Sequence, residues 1–206
     1  MFRDLVTSLE SLRAIVGGEP SEVARRKELP ALDSHARAFI ARSPFLLLAT
    51  ADAEGRCDVS PKGDAPGFVR VLDDRHLVIP DRPGNKRLDG MRNLLANPHV
   101  GLIFLVPGQD FTLRVNGRAA ITREPALLRT LTAQGKAPIL AIGVEVEEVF
   151  LHCARAFRRA KLWDEATWPG PDALPSMPCI LYDQTGGVMS LEALEARNAQ
   201  SLASLY

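Results

Sequence analysis

Two adjacent cations lie where a turn meets a helical pattern near the middle of the chain. Residues 81–87 read Asp-Arg-Pro-Gly-Asn-Lys-Arg, and apolar residues at helical spacing follow over 88–95. Backbone amides at a helix N-terminus attract anions, and Lys86 and Arg87 would add two phosphate-binding side chains beside them. The pattern therefore predicts a compact anion site, with a solvated helix start as the alternative interpretation.

A second group of cations lies between Cys153 and Trp163, where no acidic residue occurs; its members are Arg155, Arg158, Arg159 and Lys161. Helical spacing places Arg155 and Arg159 on one face of a short helix. That helix could face a phosphate or a carboxylate. It could equally pair with the acidic residues just upstream, which are Glu145, Glu147 and Glu148.

A third segment, residues 58–67, contains two prolines and two glycines together with a serine, a lysine and two acids. These residues interrupt what would otherwise be adjoining strands, so the segment is predicted to be an irregular loop. Irregular loops at the mouth of a barrel commonly line ligand sites. A plain surface loop is the alternative interpretation.

Short strands joined by turns are predicted to position these groups. Strand patterns occur over 45–50, 56–60, 68–72, 77–80, 100–106, 112–122 and 139–151. Helical patterns occur over 3–16, after the N-cap candidate Ser21, and over 33–42, 88–96, 125–134, 153–162 and 190–204. The order predicts a mainly β protein with peripheral helices (α+β), built on an antiparallel barrel of six to seven strands.

Three parts are predicted along the chain. Residues 1–43 form an N-terminal helical extension packed on the barrel, and residues 44–168 form the barrel itself. Residues 169–206 combine a segment rich in proline and glycine with a last helix.

Composition places the chain among ordinary globular proteins. Its 206 residues are 46% hydrophobic, and 25 basic residues balance 25 acidic ones. A zero net charge gives no electrostatic argument for a nucleic-acid partner. No signal peptide and no apolar run long enough for a bilayer occur, so we expect a cytoplasmic protein without a membrane partner. The cysteines and histidines are scattered without metal-ligand spacing, and no metal site is predicted.

Four runs in this order resemble the pyridoxamine 5′-phosphate oxidase-like flavoproteins, and more closely their bacterial branch of FMN-dependent enzymes of unassigned substrate. The runs are Ser-Pro-Lys-Gly-Asp at 60–64, Ile-Pro-Asp-Arg-Pro-Gly-Asn-Lys-Arg at 79–87, Asn93 with Asn97-Pro98, and Leu-Arg-Val-Asn-Gly-Arg-Ala at 113–119. His-Cys-Ala-Arg-Ala at 152–156 and Leu162-Trp163 also fit that branch. The resemblance covers roughly residues 30–168.

The resemblance implies an FMN-binding split barrel that forms a homodimer with two flavins at the subunit interface. By the same resemblance, the FMN phosphate would be held by Asn85, Lys86 and Arg87, and the ring and ribityl chain would run along Ile79, Pro80 and Asp81. Ser60, Pro61 and Lys62 would face the pyrimidine end of the flavin. Thr112 or Arg114 of the other subunit would complete the pocket, and a segment with Arg158 and Trp163 would close it.

The activity implied is that of an FMN-dependent oxidoreductase, with hydride transfer between a small molecule and flavin N5. Lys62 or Arg114 could supply a cation that stabilises the reduced flavin, and no general base is predicted. A flavin-binding protein without turnover, serving as a carrier or a redox-responsive module, is a second reading. A third keeps the barrel but binds haem, through His152 or His99, or a deazaflavin.

Two departures from the family pattern bear on the substrate. Pyridoxamine phosphate oxidases hold the substrate phosphate with a basic residue on a strand and a C-terminal Arg-x-His segment. Here that strand reads Val-Arg-Val-Leu over 69–72, and the only arginine after Trp163 is Arg197. Oxidation of pyridoxamine phosphate is therefore not expected.

Overall fold

The computed structural model describes residues 2–206. Three helices precede the sheet: α1 (Leu9–Val16), α2 (Glu22–Arg26) and α3 (Ser34–Ile40). The strands are β1 (Phe45–Ala51), β2 (Cys57–Gly63), β3 (Arg70–Val71), β4 (His76–Pro80), β5 (His99–Leu105), β6 (Thr112–Thr122) and β7 (Ala141–His152). The remaining helices are α4 (Asp89–Ala96), α5 (Pro125–Thr130), α6 (Arg155–Ala160), α7 (Met177–Gln184) and α8 (Leu191–Ala203).

All seven strands form one antiparallel sheet in the order β2-β1-β5-β6-β7-β4-β3. Its outermost strands, β2 and β3, are joined by residues 64–69 alone. In a flat sheet they would lie about 29 Å apart, at about 4.8 Å per strand. Seven Cα–Cα steps reach at most about 25 Å. The sheet must therefore curl until its two ends approach each other.

The interior of this curled sheet is one hydrophobic core, to which strands from both ends of the sheet contribute. Leu46 and Leu48 of β1 and Leu77 and Ile79 of β4 belong to the same buried cluster. The helix α3 adds three buried residues to this core, Ala36, Phe39 and Ile40. The predicted fold class is confirmed as mainly β with peripheral helices, antiparallel and curled.

The helix α4 packs over one end of the barrel and is tied to it by both apolar and polar contacts. Met91 and Leu94 are buried in the common core. The Asn93 side-chain amide donates to the Thr50 hydroxyl oxygen at 3.0 Å, which joins α4 to β1. These contacts fix where the start of α4 lies relative to β1 and β2.

The N-terminal helices begin at side-chain caps. Ser8, Ser21 and Asp33 each accept a backbone N–H three residues ahead, at 3.1, 3.2 and 2.7 Å. The predicted cap at Ser21 is confirmed. The first helix begins at Leu9 rather than near residue 3, because the Ser8 cap fixes its first turn.

Two elements differ from the sequence prediction. The strand β2 continues to Gly63, where an irregular loop was predicted, because Pro61 lies in an edge strand and is tolerated there. The helix α7 occupies a segment predicted only to be rich in proline and glycine. Pro178 stands in its first turn, where its missing N–H costs no helical hydrogen bond, and Ser176 caps it.

Within residues 2–206, no helix combines the length and the apolar character needed to cross a membrane. The same residues contain no group of three histidine, cysteine or acidic side chains placed to hold a metal ion.

A bulge interrupts the long β6–β7 ladder between Asn116 and Gly117. Asn116 pairs with Glu148 and Gly117 with Val146, so that Glu147 is left as the extra residue. A Cβ built on Gly117 would collide with the Glu145 carbonyl oxygen. Only glycine therefore fits at this position.

We predict that Gly117→Ala lowers the free energy of unfolding by about 1–3 kcal/mol, because the backbone must shift to relieve the collision. Gly143→Ala in β7 is the matched control, since its Cβ would lie 3.8 Å from the Ala120 carbonyl oxygen, an ordinary van der Waals contact. Urea unfolding of both variants measures the difference. Equal midpoints for the two variants would contradict the collision.

Candidate functional site

The inward face of β2 is polar, although it looks toward the same side as the apolar residues of β1. Asp58, Ser60 and Lys62 alternate along that face and are partly buried. They lie opposite core-facing positions of β1, with Lys62 paired to Leu46 and Ser60 to Leu48. Polar side chains on an otherwise apolar inner face need partners. This stripe therefore marks a candidate ligand site.

A cleft of about 670 Å³ lies between β2 and the chain that follows β4. Its floor is apolar and includes Leu48, Met91 and Ile142. Its polar rim comprises Asp58, Ser60, Lys62, Asp81, Arg82, Asn85, Lys86, Arg87, Asp89, Lys136 and Tyr206. An apolar floor with a polar rim and this volume is typical of a small-molecule or cofactor site.

A buried ion pair joins the two rims of the cleft. Arg82 Nε, just after β4, donates to Asp64 Oδ2, just after β2, at 2.6 Å. Only 3% of the Asp64 side chain and 16% of the Arg82 side chain are exposed. Tyr206 completes the group, since its hydroxyl donates to Asp64 Oδ1 at 2.5 Å.

These contacts keep the Asp64 carboxylate ionised. Burial by itself raises the pKa of Asp64, but hydrogen bonds from the Tyr206 hydroxyl, the Ala65 N–H and Arg82 lower it further than burial raises it. The same hydrogen bond to Asp64 raises the pKa of Tyr206. At neutral pH the group is therefore a carboxylate held between a guanidinium and a phenol.

A second, looser ion pair lines the middle of the cleft. Lys62 Nζ lies 3.9 Å from Asp81 Oδ1, and about a quarter of each side chain or less is exposed. Burial raises the pKa of Asp81, and the Lys62 ammonium opposes this rise. Neither side chain makes a hydrogen bond within residues 2–206. Both groups therefore have unused hydrogen-bonding capacity that faces the cleft.

The segment before α4 is conformationally strained. Lys86 and Leu88 both have positive φ, at 62° and 61°, which non-glycine residues seldom adopt. Leu88 is the N-cap residue of α4, and no side chain caps the helix. Such strain persists where the surroundings demand it and is common at ligand sites. The uncapped start of α4 and Lys86 both line the cleft.

Side chains around Lys86 are partnered, whereas Lys86 itself has no ion-pair or hydrogen-bond partner in residues 2–206. Arg87 Nε donates to Asp89 Oδ2 at 2.8 Å, which lowers the pKa of Asp89. Asn85 Oδ1 accepts the Arg87 backbone N–H at 3.0 Å. The start of α4 also approaches β2 closely, since a Cβ on Gly90 would lie 3.5 Å from the Ser60 hydroxyl oxygen.

Thr112 and Arg114 lie outside the cleft formed by their own chain. Both belong to β6, where Arg114 pairs with Phe150 of β7 and its guanidinium lies 5.4 Å from that ring. They are on the face of the sheet that points away from the core. On the same face, His152 has a buried Nε2 without a hydrogen-bond partner. Burial and the nearby Arg114 and Lys27 lower the pKa of His152.

Arg158 and Trp163 attach the segment after β7 to the turn before β6. Arg158 Nε donates to Asp110 Oδ2 at 2.8 Å, and Trp163 Nε1 donates to the Gln109 carbonyl oxygen at 2.9 Å. No ion pair within residues 2–206 joins this basic segment to Glu145, Glu147 or Glu148. The upstream acids are therefore not its partners.

The structure brings about half of the predicted site residues together. The cleft collects Ser60, Lys62, Asp81, Asn85, Lys86 and Arg87. The predicted residues next to them in the sequence do not line the cleft. Ile79 is fully buried in the core, and Pro61 faces outward from β2. Pro80 is also buried.

Sequence reasoning missed several lining residues. Asp58 follows the alternation of β2 and could have been found from it. Lys136 and Tyr206 come from distant segments and carry no local signal in the sequence.

Comparison with known proteins identifies a family. A family model described as pyridoxamine 5′-phosphate oxidase matches residues 32–153. No curated protein matches the chain.

Several solved structures resemble the chain at low sequence identity. HupZ of Group A Streptococcus is 23% identical, with 58% of this chain and 93% of that chain covered and a TM-score of 0.47. An FMN-binding protein of Syntrophomonas wolfei is 13% identical, with 70% and 97% covered and a TM-score of 0.44. The heme storage protein HutZ of Vibrio cholerae is 18% identical, with 59% and 93% covered and a TM-score of 0.42.

We predict that Asp64→Asn reduces the loss of stability in acid. Because the folded state lowers the pKa of Asp64, its stabilising contribution is present above the ordinary value of 3.8. That contribution is lost as the pH falls through the lowered folded value. Between pH 7 and pH 3 the wild-type free energy of unfolding should therefore fall by up to about 1 kcal/mol more than that of the variant.

Urea unfolding at the two pH values measures this difference. The control is Asp183→Asn on the exposed side of α7, which should keep the wild-type dependence. Parallel pH profiles for wild type and Asp64→Asn would show that the carboxylate is not held as described.

Proposed function

The chain belongs to the pyridoxamine 5′-phosphate oxidase family, and from that premise we propose that it is an FMN-dependent oxidoreductase that binds the flavin in the cleft between β2 and the chain that follows β4. The observation that carries the proposal is the unpartnered Lys86 beside the uncapped start of α4, at one end of a cleft of about 670 Å³. An ammonium group without a counter-ion next to free helix amides suits a phosphate group.

The residues present fit a flavin phosphate. Lys86 would contact it directly, and Arg87 could turn from Asp89 toward it, since its side chain is 72% exposed. The left-handed conformation of Lys86 and Leu88 already shapes the loop around this position. Little further ordering is therefore needed when an anion binds, which favours affinity.

The middle of the cleft fits the polar edge of the flavin ring system. Ser60 and Lys62 can donate hydrogen bonds there, and Asp81 can accept one. A bound flavin would supply the redox chemistry, by exchanging a hydride at N5 with the substrate. Lys62, held close to Asp81, would stabilise negative charge on the reduced ring, as a fixed cation in a partly dry site does.

The charge pattern also supports a substrate without a phosphate group. Every other cation of the cleft already has a partner: Lys62 has Asp81, Arg82 has Asp64, Arg87 has Asp89, and Lys136 bonds the Tyr206 carbonyl oxygen. After one phosphate is bound by Lys86 and Arg87, no cation of the cleft without a contact in the chain remains for a second. We therefore propose a small substrate other than pyridoxamine phosphate.

We further propose a homodimer that completes the site from the outer face of the sheet. Leu47, Ile103, Arg114 and Phe150 form one row across four strands on that face. The row is half-buried and apolar at one end, and Arg114 has no acidic partner within residues 2–206. In a dimer, Thr112 and Arg114 of one chain would face the flavin of the other, with Arg158 and Trp163 closing the pocket.

The proposed chemistry is tested by the spectrum of the purified protein and by its reduction. We expect bound flavin absorption, and anaerobic bleaching of that band by NADH or NADPH followed by its return with oxygen. If the protein binds the flavin but NADH and NADPH reduce it no faster than free FMN, the protein is a flavin carrier rather than an enzyme. A Soret band would instead indicate haem and overturn the assignment.

The variant that isolates the phosphate site is Lys86→Ala with Arg87→Ala. We expect FMN affinity, measured by fluorescence titration, to fall by about 100-fold or more, since each charge-assisted contact contributes about 1.5–3 kcal/mol. Arg25→Ala with Arg26→Ala is the matched control, because it removes two adjacent cations from α2, outside the cleft. Unchanged FMN affinity in the cleft variant would refute the phosphate site.

The dimer is tested by light scattering of the FMN-loaded protein, which should give twice the chain mass of 22.5 kDa. Ile103→Arg should produce monomers with weaker FMN binding, because it would bury a second guanidinium directly beside Arg114. Leu95→Arg, at a position 81% exposed on α4, should remain dimeric. A wild-type monomer that holds FMN would contradict the shared site.

A further inference from the structure

The segment after α8 reaches the cleft through a single residue. The helix α8 packs against α7 and has no buried residue of its own. Ser204 and Leu205 are exposed, whereas Tyr206 is partly buried and lines the cleft. The contact of this segment with the cleft is therefore concentrated in Tyr206.

Three separate parts of the cleft rim hold Tyr206. Its hydroxyl donates to Asp64 Oδ1 at 2.5 Å, after β2. Its ring centroid lies 5.7 Å from the guanidinium carbon of Arg82, after β4. Its carbonyl oxygen accepts a hydrogen bond from Lys136 Nζ at 2.7 Å, on the segment between α5 and β7. Tyr206 thus bridges the end of β2 to the two segments beside the β4–β7 pair, and no strand pairing joins β2 to that pair.

The strength of these contacts contrasts with the weak attachment of the segment around them. Asp64 is almost fully buried and ionised, so its hydrogen bond with the phenol is of the strong, charge-assisted kind. Residues 199–205 are all exposed and add little apolar burial. A segment with few buried contacts opens at a low free-energy cost. The contacts of Tyr206 are therefore the main interactions that hold residues 199–206 against the cleft.

We propose that Tyr206 is a positioning residue of the ligand cleft: seated on Asp64, Arg82 and Lys136, it forms an aromatic wall that retains the bound flavin and limits access to small substrates. The inference rests on the proposed function for the identity of the ligand. The position of Tyr206 in the cleft depends only on contacts within the chain. It can therefore be tested both with and without flavin.

The first experiment uses the protein without added ligand. Lys62, whose side chain is 25% exposed in the cleft, is acylated with an amine reagent and its labelling rate is measured by peptide mass spectrometry. We expect Tyr206→Ala to raise this rate more than tenfold, because it removes the ring as well as the hydrogen bond to Asp64, and one hydrogen bond to a charged group accounts for about tenfold. Tyr206→Phe keeps the ring but loses the bond to Asp64, and should give a smaller rise.

The second experiment uses the FMN-loaded protein. Tyr206→Ala should increase the FMN dissociation rate about tenfold and make the flavin more accessible to quenching by iodide, because the aromatic wall is lost. Tyr182→Ala, the other tyrosine, is the matched control and should change neither quantity. Urea midpoints equal to that of the wild type would show that none of these effects reflects unfolding.

The outcomes separate the two proposals. If Lys62 labelling, flavin release and iodide quenching all stay at wild-type values in Tyr206→Ala, the role of Tyr206 is refuted while the FMN assignment stands. If the wild type binds no FMN, the proposed function falls and the labelling of Lys62 alone decides whether Tyr206 covers the cleft.

Discussion

The six-residue connection between β2 and β3 is the constraint on which the rest of the structure depends. Because these strands are the two ends of the sheet, the connection forces the sheet to curl and brings Asp64 within 2.6 Å of Arg82. Yet β2 pairs with neither β3 nor β4, so a gap remains where a closed barrel would have hydrogen bonds. The cleft is this gap, and the buried ion pair fixes its width at one end.

The electrostatics of the cleft follow from where it lies. Its floor continues the hydrophobic core, so the charges nearest the floor, on Lys62, Asp81 and Arg82, are partly desolvated and have to be compensated. Most of the rim charges are compensated within the chain, by contacts that range from the close Asp64–Arg82 pair to the loose Lys62–Asp81 pair. Lys86 stands apart from this pattern. A cation at the mouth of a partly dry cleft binds an anion more strongly than one on an open surface.

The sequence predicted the parts of the fold that depend on local patterns. Hairpins, the antiparallel class, the cap at Ser21 and the cations at Lys86 and Arg87 all follow from residue type and spacing. The bulge is also visible in the sequence as a shift in the alternation of β7. The core-facing residues Val144 and Val146 are followed by Val149 rather than by residue 148. Contacts between distant parts of the chain could not be predicted in this way. Tyr206 meets Asp64 across 142 residues, and Arg158 meets Asp110 rather than the nearby acids, because folding rather than spacing sets these distances.

The proline in β2 has a consequence for self-association. An open sheet edge presents unpaired backbone donors and acceptors, which another strand can extend into an aggregate. Pro61 sits in the middle of this edge strand and has no N–H to offer such a strand. A foreign strand pairing along β2 would therefore lose a hydrogen bond at the centre of its ladder. The residue that made the segment look like a loop instead helps to keep the gap in the barrel free for a small molecule.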